Sequence, residues 1–161
     1  MSVAGHATCF DASALAKRYL DEPGSFALRQ YWNGQPTRYT TAFCLYETLG
    51  ILKRKRLKGV LTKERYLRAA TDLVAWFRAS ESRRDIDFTA PKVFAEASKL
   101  AEQTDLDLSD ALQLLSLRDG YFSVLVGDSA TLLVTADAAL ALAARNMALR
   151  VWDCEREPIP Q

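Results

Sequence analysis

One pattern constrains this chain more than any other, and it occurs twice. Thr8-Cys9-Phe10-Asp11-Ala12-Ser13-Ala14-Leu15-Ala16 reads as a short buried strand, an aspartate at its carboxyl end, and the start of a helix. The same order returns in Leu132-Leu133-Val134-Thr135-Ala136-Asp137-Ala138-Ala139-Leu140, more than a hundred residues later. Short apolar runs that lead directly into alanine-rich helical segments are the joints of a parallel α/β sheet. In open parallel sheets, ligands bind in the crevice beyond the carboxyl ends of the strands. Asp11 and Asp137 therefore converge if their two strands are neighbours.

The rest of the chain fits such a sheet. Helical periodicity and capping residues predict helices over 13–20, 25–32, 42–58, 62–79, 91–103, 109–118 and 138–145. Ser13 is the expected cap of the first, and Gly59 the stop of the third. Short strands are expected at 8–10, 38–41, 86–88, 131–134 and 149–152, the first extending back as far as His6. Residues 121–126 are compatible with helix or strand. The sum is many helices around a few short strands, an α/β sandwich with a small, mostly parallel sheet. A length of 161 residues and the absence of a linker predict one domain over 1–161, with 154–161 an irregular tail.

Composition excludes several classes. Cys9, Cys44 and Cys154 are odd in number, far apart and without a C-x-x-C pair, so a disulfide framework or zinc ribbon is not expected. Buried, reduced thiols in a cytoplasmic protein are the expectation. No basic segment followed by an apolar run opens the chain, and no apolar run approaches the roughly 20 residues of a membrane span. The net charge of +1 makes no global demand for a polyanion. The charge is nonetheless uneven: residues 53–68 hold eight Lys or Arg and one acid, Glu64, whereas residues 105–110 hold three Asp and no base.

Two further carboxylates stand out. Glu47 has Phe43, Gly50 and Ile51 one turn away on its helix, which predicts a buried face. A buried carboxylate must be paired, hydrogen-bonded or metal-bound. A bridge to Lys or Arg is the plain alternative for it. Asp110 falls in the first turn of a helix, where an acid also suits the helix dipole. Asp107 competes with it, as a cap or as the functional acid. Leu106 and Leu114 favour an inward face for Asp110. Clustered carboxylates repel one another unless a cation neutralises them, and hard cations such as Mg²⁺ take oxygen ligands.

Four segments now carry a resemblance: Phe10-Asp11-Ala12-Ser13-Ala14-Leu15, Tyr46-Glu47-Thr48-Leu49, Ser109-Asp110-Ala111-Leu112-Gln113-Leu114, and Leu133-Val134-Thr135-Ala136-Asp137-Ala138-Ala139-Leu140. With Ala143-Ala144-Arg145 and Leu149-Arg150-Val151-Trp152 behind them, they resemble PIN-domain proteins. The similarity is greatest to the VapC-type toxin ribonucleases of bacterial toxin–antitoxin pairs. The resemblance implies a three-layer α/β/α sandwich and endonucleolytic cleavage of RNA. It implies Mg²⁺ or Mn²⁺ held by Asp11, Glu47, Asp110 and Asp137, with the hydroxyls of Ser13 and Thr135 orienting ligands or water. A homodimer and a cognate antitoxin that occupies the acidic cleft are implied as partners.

Other residues remain open. Lys53, Arg54, Lys55 and Arg56 are candidates for following RNA phosphates, or else form a solvated helix end. Trp32, Tyr39 and Trp76 are candidates for stacking bases, with a core role the alternative for Trp76. A non-catalytic PIN-like module that binds RNA or protein is the competing function. Asp-x-Asp is absent at residues 11–13, where Asp11-Ala12-Ser13 stands, and G-x-x-x-x-G-K-[ST] is absent throughout. These absences argue against a dehalogenase-type phosphatase and a P-loop hydrolase.

Overall fold

The computed structural model describes residues 7–35, 37–80, 87–118 and 131–161. Among the described residues four strands, β1 (Thr8–Phe10), β2 (Arg38–Tyr39), β3 (Leu132–Thr135) and β4 (Arg150–Asp153), form one sheet in the order β2-β1-β3-β4. All pairings are parallel. Seven helices surround the sheet among the described residues: α1 (Ala12–Ala16), α2 (Ser25–Gly34), α3 (Ala42–Leu57), α4 (Lys63–Ala79), α5 (Pro91–Gln103), α6 (Leu108–Arg118) and α7 (Ala138–Asn146). This is the α/β/α sandwich expected.

Strand alternation sorts the core into two layers. Phe10, Val134 and Trp152 lie in register across β1, β3 and β4. They join Leu15, Leu28, Trp32, Leu52 and Leu73 in one cluster, built by α1 to α4. Cys9 and Leu133, one residue back, face the opposite way and pack with Tyr39, Leu114, Leu140 and Ala144 against α6 and α7. Both layers are dense in fully buried side chains, which is what holds a sheet of such short strands together.

Several boundaries differ from the expectation for local reasons. The first helix ends at Ala16 rather than Leu20, because the N–H groups of Lys17, Arg18 and Tyr19 bond three residues back and tighten the chain into a turn. Asp11, not Ser13, caps it. The third helix stops as expected at Gly59, whose φ of +75° closes a pair of bonds, Gly59 N–H to Arg56 and Val60 N–H to Lys55. The strand expected at 86–88 is not formed over its described part: Asp87 to Ala90 is a turn closed by the Ala90 N–H on the Asp87 carbonyl. Ile86, His6, Pro36 and residues 121–126 lie outside the described residues. Among the described residues no helix is long and apolar enough to cross a membrane.

Candidate active site

β1 leads back to β2 on one side of the sheet, and β3 leads on to β4 on the other. The point between β1 and β3 is therefore the switch point where an open parallel sheet forms its crevice. Thr8, Cys9 and Phe10 pair with Leu132, Leu133 and Val134, so the two Asp-bearing joints are neighbours. Asp11 is buried and its N–H continues the ladder to the Val134 carbonyl at 2.9 Å.

Donors from both joints hold the Asp11 carboxylate. Oδ2 accepts from the Ser13 N–H at 3.2 Å, the Ser13 hydroxyl at 2.5 Å and the Thr135 hydroxyl at 3.0 Å. Ser13 Oγ also ties the joints to each other by accepting from the Ala136 N–H, while Thr135 Oγ1 accepts from the Asp137 N–H within its own joint. Burial raises the Asp11 pKa, and these hydrogen bonds pull against it. Oδ1 faces the buried Cys44 thiol at 3.9 Å. Burial in turn pushes that thiol far up, with the negative charge of Asp11 adding to it.

Asp137 is exposed and caps α7, accepting from the Ala139 and Leu140 N–H groups. Asp107 and Asp110 divide their work in the same physical terms. Asp107 caps α6, accepting from the Asp110 N–H and the Ser109 hydroxyl. Among the described residues nothing donates to the Asp110 carboxylate, and Leu106 and Leu114 beside it are buried as expected. Its pKa is pushed up to about 7, first by burial and then by Asp11, Asp107, Asp137 and Glu47.

Glu47 corrects the sequence reading. It is exposed, as are Phe43 at 40% and Tyr46 at 73%, whereas the buried stripe of α3 is Cys44, Leu45, Thr48 and Leu52. Apolar neighbours one turn away misplaced the face, because two large aromatics of this helix point outward. Glu47 still senses the other acids. Desolvation raises its pKa, Asp11, Asp107 and Asp137 raise it further, and Arg54 opposes them.

Two of the proposed base-stacking residues are also corrected. Trp32 and Tyr39 are buried, Trp32 packing on Phe10 and Trp76 and Tyr39 bonding to Thr131, so neither presents a face to a base. Tyr46, next to Glu47 on α3, is the most exposed aromatic of that helix, and its sequence signal was its position beside Glu47. Gln113, one turn after Asp110, was likewise missed. It is buried and its amide nitrogen has no partner among the described residues. A polar side chain within the run Ala111-Leu112-Gln113-Leu114-Leu115 was the available signal. In the basic run, Lys55 is committed to Glu22 at 3.0 Å and Lys53 lies over the Tyr66 ring at 5.5 Å. Lys53 and Arg54 are exposed, while Lys55 and Arg56 are half-buried.

The fold and the carboxylates define a class: an α/β/α protein with aspartates at the carboxyl ends of the two central strands of a parallel sheet. The PIN-domain family model matches residues 8–146, and the chain belongs to that family. No curated protein matches it. β4 lies beyond the matched span and completes the sheet. PIN domains are typically nucleases, and such nucleases act on RNA and generally use divalent metals. The donor set here fits a hard cation in its chemistry: the acids are all oxygen donors, and their mutual repulsion is the charge a divalent ion offsets. Among the described residues, no three His, Cys, Asp or Glu side chains are drawn close enough together to hold an ion as they stand.

Proposed function

We propose that this chain is a Mg²⁺- or Mn²⁺-dependent endoribonuclease of the VapC type, the toxin of a toxin–antitoxin pair. The observation that carries the reading is the pairing of β1 with β3, which sets the Asp11 and Asp137 joints side by side, with the Asp110 carboxyl pushed up to about 7 first by burial and then by the charges of Asp11, Asp107, Asp137 and Glu47. Asp11, Glu47, Asp110 and Asp137 would hold the ion. When bound, it supplies Lewis-acid polarisation of a phosphoryl oxygen and a water acidic enough to attack at neutral pH. Ser13 and Thr135 fix the orientation of Asp11, so that this acid of the set is held in place. Arg54 lies beside Glu47, close over Gly50, and with Lys53 is the phosphate contact in this reading. Lys55 and Arg56 support the same helix end, Lys55 through Glu22. A single domain over residues 1–161, action in the cytoplasm, a homodimer and a cognate antitoxin seated at the acids complete the proposal.

The test is cleavage of a pool of single-stranded RNA by purified protein with Mg²⁺ or Mn²⁺. A chelator control and the Asp11→Asn and Asp110→Asn variants run beside it. Metal-dependent cleavage lost in both variants is the expected result. Intact RNA in the presence of folded, metal-binding protein would turn the reading toward a non-catalytic PIN module. Cleavage that survives both substitutions would remove the acids from the mechanism.

A further inference from the structure

A second charged site has no part in the acidic crevice. Arg18, Arg29, Arg65 and Arg68, with Tyr19, Ala69 and Asp72, line one cavity of about 330 Å³. Arg18 follows α1, Arg29 lies on α2, and Arg65 and Arg68 occupy the first half of α4. These positions are dispersed in sequence, so the cavity exists only in the folded chain.

Part of the cluster is structural. Arg18 is only 17% exposed and lies 3.8 Å from the centre of the Trp32 ring. It donates to the Tyr19 hydroxyl at 2.9 Å and to Asp72 at 3.3 Å, while Tyr19 donates to the same Asp72 oxygen at 2.6 Å. Arg29 donates to the Leu20 carbonyl and to Asp21, and Arg65 lies 3.6 Å from Asp21. These pairs staple the α1–α2 connection to α4.

The staple leaves charge over. Four guanidinium groups meet two aspartates, Asp21 and Asp72, and among the described residues no acid pairs with Arg68. The excess is two positive charges at a concave surface, in a chain whose net charge is only +1. Arg18 is already ordered by its aromatic and carboxylate contacts, so a ligand need not immobilise it. Guanidinium forks match the oxygens of a phosphate bidentately, and a phosphate dianion balances the excess where a single carboxylate does not. The volume is at the lower end of that of small-ligand sites.

We infer that this arginine cavity binds a phosphate group, carried either by a free nucleotide or by the backbone of a single-stranded RNA. The inference does not rest on the nuclease reading, and its test is run without metal. The intact chain is titrated calorimetrically with pyrophosphate at low salt, beside an Arg65→Ala/Arg68→Ala variant and an Arg65→Lys/Arg68→Lys variant. Both positions are exposed, and Arg18 is left in place because its contacts hold the fold. Binding that weakens at least tenfold in the alanine variant, is partly kept in the lysine variant and falls with salt is the expected result.

Two further arms separate the sources. If RNA carries the phosphate, a labelled single strand in chelator binds the alanine variant several-fold more weakly and is displaced by pyrophosphate. If a nucleotide carries it, ATP binds the wild type, loses affinity in the alanine variant, and the RNA arm is unchanged. The inference is overturned by a folded wild type that binds neither pyrophosphate nor ATP. Equal binding by the alanine variant, or a glutamate-rich peptide binding more tightly than pyrophosphate, overturns it as well.

Discussion

Replacing Asp110 by Asn should stabilise the metal-free protein while removing its cleavage. Among the described residues nothing donates to this carboxylate, and burial and the charges of four other acids push its pKa up. Raising an aspartate from 3.8 to about 7 corresponds to about 4 kcal/mol by linkage. Solvent screening of a half-buried group reduces this to about 2 kcal/mol. The favourable place of an acid in the first turn of α6 returns up to about 1 kcal/mol. The net gain for Asp110→Asn is then about 1–2 kcal/mol, or a rise in Tm of about 2–8 °C for a chain of this size.

The pH dependence follows from the direction of the shift. A carboxyl whose pKa is higher folded than unfolded binds more protons when folded, so stability falls as pH rises through the interval. The whole cost is present above about pH 7 and is gone near pH 4. Thermal melts in chelator should therefore show the variant above the wild type at pH 8, with the gap less than half as large at pH 5. Added Mg²⁺ should raise the wild type more than the variant. A variant less stable than the wild type at pH 8 in chelator, or a gap equal at both pH values, would refute the electrostatic account of the crevice.

Thr135→Val should lower stability by about 1–3 kcal/mol, since Asp11 loses a donor and the Asp137 N–H an acceptor; paired melts and cleavage assays should show activity falling about 10- to 100-fold as well. Gly24→Ala should destabilise by more than 1 kcal/mol, because φ is +82° and the new Cβ would sit 2.6 Å from the Cys154 carbonyl oxygen. Denaturant melts check it against Gly59→Ala, where φ is +75° but the space is open, and a cost there of about 1 kcal/mol isolates the backbone contribution. Lys17→Ala should cost about 2 kcal/mol in the same melts, less than a fully buried pair, because Glu22 keeps Lys55 when it and Glu155 lose the buried ammonium.

The amino-acid sequence by itself determined the features that depend on neighbours along the chain. The repeated strand–Asp–helix joint, the parallel α/β class, the helix stop at Gly59, and the placement of Asp11 and Asp137 at strand ends all follow from local spacing. Asp107 and Asp110 could be separated only by seeing which one turns back onto the N–H groups of α6. The faces of α3 were decided by what packs on them: Leu45, Thr48 and Leu52 meet the core, so Glu47 and Tyr46 are left outside, against the local apolar pattern. Trp32 and Tyr39 were decided in the same way, by layers that need large side chains to fill them. The arginine cavity draws on α2, α4 and the turn after α1, and no spacing along the chain foretells it. Periodicity records which residues share a local face. Which face meets the core, and which distant charges share a cavity, depends on contacts between segments that sequence order does not encode.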